Sequence, residues 1–385
     1  MRRHPPAAST VGRMTVTFEQ IVALPKVLLH DHLDGGVRPS TVVDLAEQAG
    51  HTLPTSDPDT LAAWFRAKSD GGSLEEYLDT FVHTAGVMQT PAALRRVARE
   101  AVVDLAADGV VYAEERFAPE LHQDGGLSLQ QVVDAVRAGA DEGIAEAAEA
   151  GRSIRVGLLL CAMRQSDRAD EVAALALANR DRGVVGFDIA GPEAGFPAST
   201  MGAAFATLRG VRFPITVHAG EAAGVDSLDG AVDVGALRIG HGIRLLDDIT
   251  LTDPPEGAAP DGVPPARLGR LAHWVRDRRI ALEVCPSSNL QTGGAASIAE
   301  HPVTTLLRLG FAVTVNTDNR LQSGTSMSRE LWQLVTEAGW TLDDVRAVTV
   351  TAAQHAFVHE DERRDLIDRV ILPGYAPLGT GRPPR

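Results

Sequence analysis

The chain has 385 residues, an apolar content of 44% and a formal net charge of −15, which suits one large barrel or two ordinary domains of a globular protein. A polyanion would meet a repulsive field, so extended contact with nucleic acid or an anionic membrane surface is disfavoured and a small, weakly charged partner fits better. Cys161 and Cys285 are the only cysteines, too few for a disulfide framework or a cysteine-based zinc site and in keeping with a reducing, cytoplasmic setting.

Residues 1–15 are polar, proline-rich and aperiodic, so a flexible tail is expected there, followed by a single domain over 16–372 and a second flexible tail over 373–385. The basic opening Met1-Arg2-Arg3 leads into no continuous apolar segment, and no run reaches the roughly 18 apolar residues of a membrane span, so neither secretion nor membrane insertion is expected. A short helix from Thr17 to Leu24 is predicted to lead into the apolar run Leu24-Pro25-Lys26-Val27-Leu28-Leu29-His30-Asp31-His32-Leu33-Asp34-Gly35-Gly36. In an extended chain alternate side chains share a face, so His30 and His32 project together while Leu29, Asp31 and Leu33 point the other way.

Between Leu61 and Met88 two helical stretches are predicted. The second is opened by Ser73 with Glu76 three residues on, the pattern of a capping box, and its apolar face holds Leu74, Tyr77, Leu78, Phe81, Val82 and Ala85. From Leu94 onward short apolar runs alternate with amphipathic stretches: Val110 to Phe117, Ile154 to Cys161, Val184 to Ala190, Phe213 to Ala219, Leu237 to His241, Ile280 to Cys285 and Ala312 to Thr317. With the first strand these make about eight βα units, the count of a (β/α)8 barrel of the TIM type. The runs are apolar at consecutive positions, as parallel strands covered on both faces are. A doubly wound sheet would usually carry a phosphate-binding loop, yet Gly240-His241-Gly242 lacks the third glycine and no lysine follows a glycine in a Walker pattern. Asp253 to Ala266, rich in proline and glycine, is expected to be an inserted surface loop.

Ligand-type residues recur at the C-terminal ends of these strands, where barrel active sites are assembled. His30 and His32 close the first, Val217-His218-Ala219-Gly220-Glu221 the fifth, Arg238-Ile239-Gly240-His241-Gly242 the sixth and Val315-Asn316-Thr317-Asp318-Asn319 the eighth. Taken singly, His218 and His241 read equally well as core histidines bonded to backbone, Glu221 as a helix-start carboxylate and Asp318 as an N-cap. Converging from three strands of one barrel, His30, His32, His218 and Asp318 form a donor set suited to zinc with a position left for water.

The motifs His30-Asp31-His32-Leu33-Asp34-Gly35, Thr216-Val217-His218-Ala219-Gly220-Glu221, Ile239-Gly240-His241-Gly242 and Asn316-Thr317-Asp318 resemble those of the metal-dependent adenosine deaminases of the amidohydrolase superfamily, in that family's order and spacing. The resemblance runs from about Leu24 to Phe357, including Phe187-Asp188-Ile189-Ala190-Gly191 and Glu283-Val284-Cys285-Pro286-Ser287-Ser288-Asn289. It implies a cytoplasmic enzyme of purine nucleoside salvage that takes adenosine or 2′-deoxyadenosine to inosine or deoxyinosine and ammonia. It further implies one zinc held by His30, His32, His218 and Asp318, Glu221 as the proton donor to N1, and His241 beside the attacking hydroxide.

By the same resemblance His32 and Asp34 face the substrate, Asp34 at the ribose, while the Gly191 N–H meets N3 and Asn319 meets N7. Leu74, Tyr77, Leu78 and Phe81 would form an N-terminal helical lid over the barrel mouth. Asn319 departs from the family's more usual aspartate; an acceptor such as N7 needs a donor, which an amide supplies at any pH and an aspartate only when protonated. Gln165 and Gly36 depart as well, away from the metal ligands. Only two of the 36 basic residues are lysines, Lys26 and Lys68, and none stands at the fourth strand, where binuclear relatives bridge two metals with a modified lysine, so one metal is expected. The weighed alternatives are a deaminase of adenine or another 6-aminopurine, a hydrolase of amide or ester bonds, and a non-catalytic nucleoside-binding protein. The zinc deaminases of nucleic acids pair His-x-Glu with Pro-Cys-x-x-Cys, a cysteine pair this chain lacks.

Overall fold

The computed structural model describes residues 16–252 and 263–378. The flexible tail expected over 1–15 and most of the expected insertion lie outside the described residues. Eight parallel strands make the barrel: β1 (Lys26–His32), β2 (Val110–Phe117), β3 (Arg155–Met163), β4 (Val184–Ala190), β5 (Thr216–Ala219), β6 (Arg238–His241), β7 (Ala281–Val284) and β8 (Val313–Val315). They form two four-stranded sheets, β1-β2-β3-β4 and β5-β6-β7-β8. Single bridges, Phe187 to Ile215 and Asp31 to Asp318, close the two into a (β/α)8 barrel.

The seam between β1 and β8 is stitched by the chain just beyond the regular strand. His32 N donates to Asp318 O at 2.7 Å and Asp318 N to His30 O at 3.0 Å. The Asn316 side chain accepts from Leu29 N at 2.9 Å and donates to Val284 O at 3.3 Å, joining three strands.

The strands form where branched and large apolar residues cluster, and several of the flanking helices start on side-chain caps. Thr17 and Gln20 make a reciprocal box before Phe18–Ala23, as do Ser128 and Gln131 before Leu129–Glu149 and Thr341 and Asp344 before Leu342–His355. Among the described residues no helix is long and apolar enough to cross a membrane.

The barrel interior is not an apolar plug. Arg116, Arg238, Glu114, Asp188 and Glu283 are all essentially inaccessible to solvent. The Arg116 guanidinium donates to Asp188 at 2.6 Å, Glu283 at 2.8 Å and Leu29 O at 2.6 Å, and Arg238 donates to Glu283 and Glu114. Removing one member of such a network would strand a buried charge, at a cost of about 3–5 kcal/mol.

Two expectations, one in the first quarter of the chain and one near its end, are corrected. The helical stretch opened by Ser73 is two helices, Leu74–Leu78 and Phe81–Val87. The Thr80 hydroxyl donates back to Tyr77 O at 2.8 Å, a local bond that competes with helix continuation, and only the Ser73 half of the capping box forms. The chain around the expected surface insertion pairs as an antiparallel ribbon, Ile249–Leu251 with Ala266–Leu268, because Ile249 and Leu268 pack against the core. The ordered fold also passes residue 372: Leu372–Tyr375 is helical, and Tyr375 is buried with its hydroxyl 3.1 Å from that of Thr349.

Candidate active site

At the C-terminal mouth of the barrel, β1 delivers His30 and His32, β5 His218, β6 His241 and the turn after β8 Asp318. Side chains alternate along β1, so both imidazoles point inward while Asp31 points out to the Thr317 hydroxyl at 2.5 Å and Arg320 at 2.9 Å. His241 and Asp318 hold left-handed backbone angles, φ 61° and 57°. Non-glycine residues hold that conformation at a cost of about 1–3 kcal/mol and mainly where function fixes them.

One ligand atom from each of His30, His32, His218 and Asp318 lies within 4.8 Å of the others. His32 Nε2 faces His218 Nε2 at 3.2 Å, and Asp318 Oδ1 lies 3.2 Å from His30 Nε2 and 3.4 Å from His32 Nε2. The far nitrogens are fixed by carboxylates: His30 Nδ1–H donates to Glu283 Oε2 at 3.0 Å, and His218 Nδ1 lies 2.8 Å from Asp188 Oδ2. A ring whose Nδ1 faces a carboxylate presents its Nε2 lone pair to a metal. The free Asp318 oxygen accepts from Ser288 Oγ at 2.6 Å.

Burial holds His32 and His218 below the ordinary imidazole range, so their lone pairs are available. His30 differs: against burial and Arg116, the neighbouring carboxylates of Asp318 and Glu283 raise it. That excess of negative character is what a cation would neutralise. His30 Nε2 makes no hydrogen bond although buried. Three imidazoles and a carboxylate so arranged fit a divalent metal with N3O donors.

Glu221 stands beside this cluster, its Oε2 3.4 Å from His241 Nε2 and its Oε1 buried without a hydrogen bond. Burial, then the charges of Asp318 and Glu193, push its carboxyl well above the usual range, which favours the protonated form. His241 is held neutral by burial, with Asn289 Nδ2 donating to its Nδ1 at 3.0 Å, which leaves the Nε2–H directed at the site.

A cavity of ≈ 430 Å³ opens over these groups and is lined in part by His32, Asp34, Gly191, His218, Glu221, His241, Asp318 and Asn319. Asp34 is buried with Oδ1 unpartnered, and burial raises its carboxyl to about 6. Gly191 sits at φ 95°, with Gln165 Oε1 2.6 Å from where a Cβ would stand. The Asn319 amide packs against Gly35, leaving no room for a side chain there. The far wall is Leu74, Tyr77, Leu78 and Phe81 from the two short helices. Among the described residues that line the cavity there is no lysine or arginine, while Asp34, Glu75 and Asp79 are acidic.

Every candidate metal, catalytic, substrate or lid residue named from the sequence is thus in or on this cavity except His30, which lies beneath it among the ligand atoms. Asp188, Glu283, Ser288 and Asn289 were quoted only within motifs, and Glu193, Arg116 and Arg164 not at all. Both cysteines are buried and unpaired; Cys161 borders the cavity between Ala118 and Ala190.

The family model described as "Adenosine deaminase" matches residues 25–373. An adenosine deaminase of Mycobacteroides abscessus is 54% identical over 93% of this chain and 97% of its own length. Adenosine deaminase 1 of Streptomyces coelicolor is 55% identical over 94% and 90%. Among solved structures, a zinc-bound amidohydrolase from Burkholderia ambifaria superposes with a TM-score of 0.79 at 24% identity, covering 97% of this chain and 96% of that one; at that identity the likeness speaks for the fold.

Proposed function

The chain belongs to the adenosine deaminase family, and from that membership we propose that it hydrolyses adenosine and 2′-deoxyadenosine to inosine or deoxyinosine and ammonia, in purine nucleoside salvage. It is a hydrolase of C–N bonds in cyclic amidines. The observation that carries the reading is the juxtaposition of a three-imidazole, one-carboxylate cluster with the buried Glu221 carboxyl on one cavity.

His30, His32, His218 and Asp318 would hold one zinc ion per subunit. When bound, zinc supplies a Lewis acid that brings the ionisation of water down from about 15.7 towards 7. Adenosine enters with its ring between Gly191 and Asn319 and its ribose towards Asp34. Glu221 gives its proton to N1 as the water oxygen bonds to C6, so the charge that builds on the ring is neutralised where it forms. His241, with Nε2–H directed at the site, orients the attacking oxygen together with Asp318. The C6–N bond then breaks. Of the two protons that water brings, one leaves with ammonia and the other restores Glu221.

Asn319 is a donor for N7 at any pH. Leu74, Tyr77, Leu78 and Phe81 would shield the ring from water as a lid. The acidic, cation-free lining favours a nucleoside over a 5′-phosphorylated nucleotide.

The test is the ultraviolet change from adenosine to inosine, run with and without chelator and beside adenine and AMP, with Glu221→Gln as control. Chelator-sensitive turnover of adenosine that falls at least about 10³-fold in Glu221→Gln is expected. Adenine or AMP as the better substrate would overturn the assignment of substrate.

A further inference from the structure

The turn that carries Gly191 after β4 also carries Glu193, whose side chain crosses to the loop after β5. Its Oε1 accepts from Gly220 N at 2.6 Å and from the Ser227 hydroxyl. Its Oε2 accepts from the N–H groups of Glu221 at 3.1 Å, Ala222 at 2.8 Å and Ala223 at 2.9 Å. Five donors meet on one carboxylate that is only 5% exposed. Residues 220–223 belong to no helix or strand, so these four amides have the Glu193 carboxylate where other loops would have water or a neighbouring strand.

Arg164 completes the arrangement from the loop after β3, donating to His218 O and to Phe196 O on the β4–β5 connection. The loops after β3, β4 and β5 are thereby tied together around the backbone of Glu221.

We propose that Glu193 is the positioning residue of the deamination site: by gathering the backbone N–H groups of residues 220–223 it fixes where the Glu221 carboxyl meets the substrate ring relative to Gly191. The inference rests on Glu221 being the proton donor. A loop free to shift by about 1 Å would cost up to a hundredfold in rate, because proton transfer needs the donor in line with N1.

Glu193 also contributes charge. Glu221 faces the carboxylates of Glu193 and Asp318, the guanidinium of Arg164, the imidazole of His241 and the hydroxyl of Thr292. Loss of the Glu193 charge makes ionisation of Glu221 easier, so the pH at which activity falls on the alkaline side moves down.

The experiment compares Glu193→Gln, Glu193→Asp and Glu221→Gln in metal-loaded enzyme, measuring kcat and KM for adenosine across pH, bound metal and melting temperature. For Glu193→Gln the expected result is full metal content, a kcat lower by about 10- to 100-fold with KM within about threefold, and an alkaline limb displaced to lower pH. Glu193→Asp, which keeps the charge but not the reach, should lower kcat while leaving that limb in place. A metal-loaded Glu193→Gln with wild-type kcat and pH profile would overturn the proposal.

Turnover retained in Glu221→Gln would instead remove the proton-donor reading; a dead Glu221→Gln beside a normal Glu193→Gln removes the positioning role alone. Should the Glu193 variants not fold, hydrogen exchange in the unaltered enzyme decides. The amides of 220–223 should be protected like those of a strand, and exchange at the rate of an open loop would sink the inference.

Discussion

Asp188 and Glu283 stand directly behind the ligand set, each facing the Nδ1 of an inward histidine and each held by Arg116. Burial alone would raise both carboxyls, but His218 and Arg116 at Asp188, and Arg116 and Arg238 at Glu283, keep them below the usual range and therefore ionised. Asp188→Asn removes the charge with little change of shape. It should weaken metal binding by about 10- to 100-fold, read by competition with a chromogenic chelator, while far-ultraviolet circular dichroism stays unchanged. Equal affinity in the variant would show that His218 is oriented without it. Glu221 gives the pH dependence: its carboxyl is raised by burial, so the active, protonated form is fully present at low pH and lost as pH rises through the raised value. kcat should accordingly fall on the alkaline side, well above the range of an ordinary carboxylate, and a kcat rising there would contradict the assigned role. His30, His32, His218 and Asp318 were legible in the sequence because ligand types closed the first, fifth and eighth predicted strands. Asp188, Glu193 and Glu283 were not: a carboxylate in or after an apolar strand reads alike whether it faces an imidazole, an arginine or a row of amides. Only the register of strands distant in sequence supplies that partner.

Among the elements, the strands were the most readable and the wall over the cavity the least. Most barrel strands are apolar runs with one or a few polar residues set in them, and the predicted ends lie within a few residues of the observed ones. The stretch from Ser73 to Val87 keeps its helical periodicity across the break at Asp79 and Thr80, so periodicity alone could not reveal two helices. Tyr77 and Phe81 line the same cavity from different helices, with ring centroids 6.3 Å apart. Tyr77 is anchored through its hydroxyl to Ser323 at 3.1 Å, whereas Phe81 belongs to the helix that also carries the exposed Val82. Phe81→Ala should therefore raise KM for adenosine about 5- to 30-fold, from about 1–2 kcal/mol of lost apolar contact, with kcat nearly unchanged. An equal loss in kcat would mean that this wall acts on the chemical step. Tyr375 shows the converse limit, since a proline- and glycine-rich tail gives no sign that one aromatic residue will be buried.

The whole molecule is two four-stranded sheets, and the site lies across both. His30 and His32 come from one, His218 and Asp318 from the other, and the supporting pairs His30 with Glu283, His218 with Asp188 and Arg116 with Glu283 all cross between them. A metal that binds only the folded form stabilises it by RT ln(1 + [L]/Kd), about 4 kcal/mol at a thousandfold excess over Kd. Chelation should lower the melting temperature by several degrees, read by calorimetry with and without added zinc. No change would mean that the cluster holds its geometry unaided. The same placement bears on how an ion leaves. The bottom of the cluster is sealed by buried ion pairs, while His32, His218 and Asp318 face the cavity, so an ion comes and goes through the mouth that the substrate uses. A nucleoside seated over the cluster should then act as a stopper, slowing loss of the ion to a chelator.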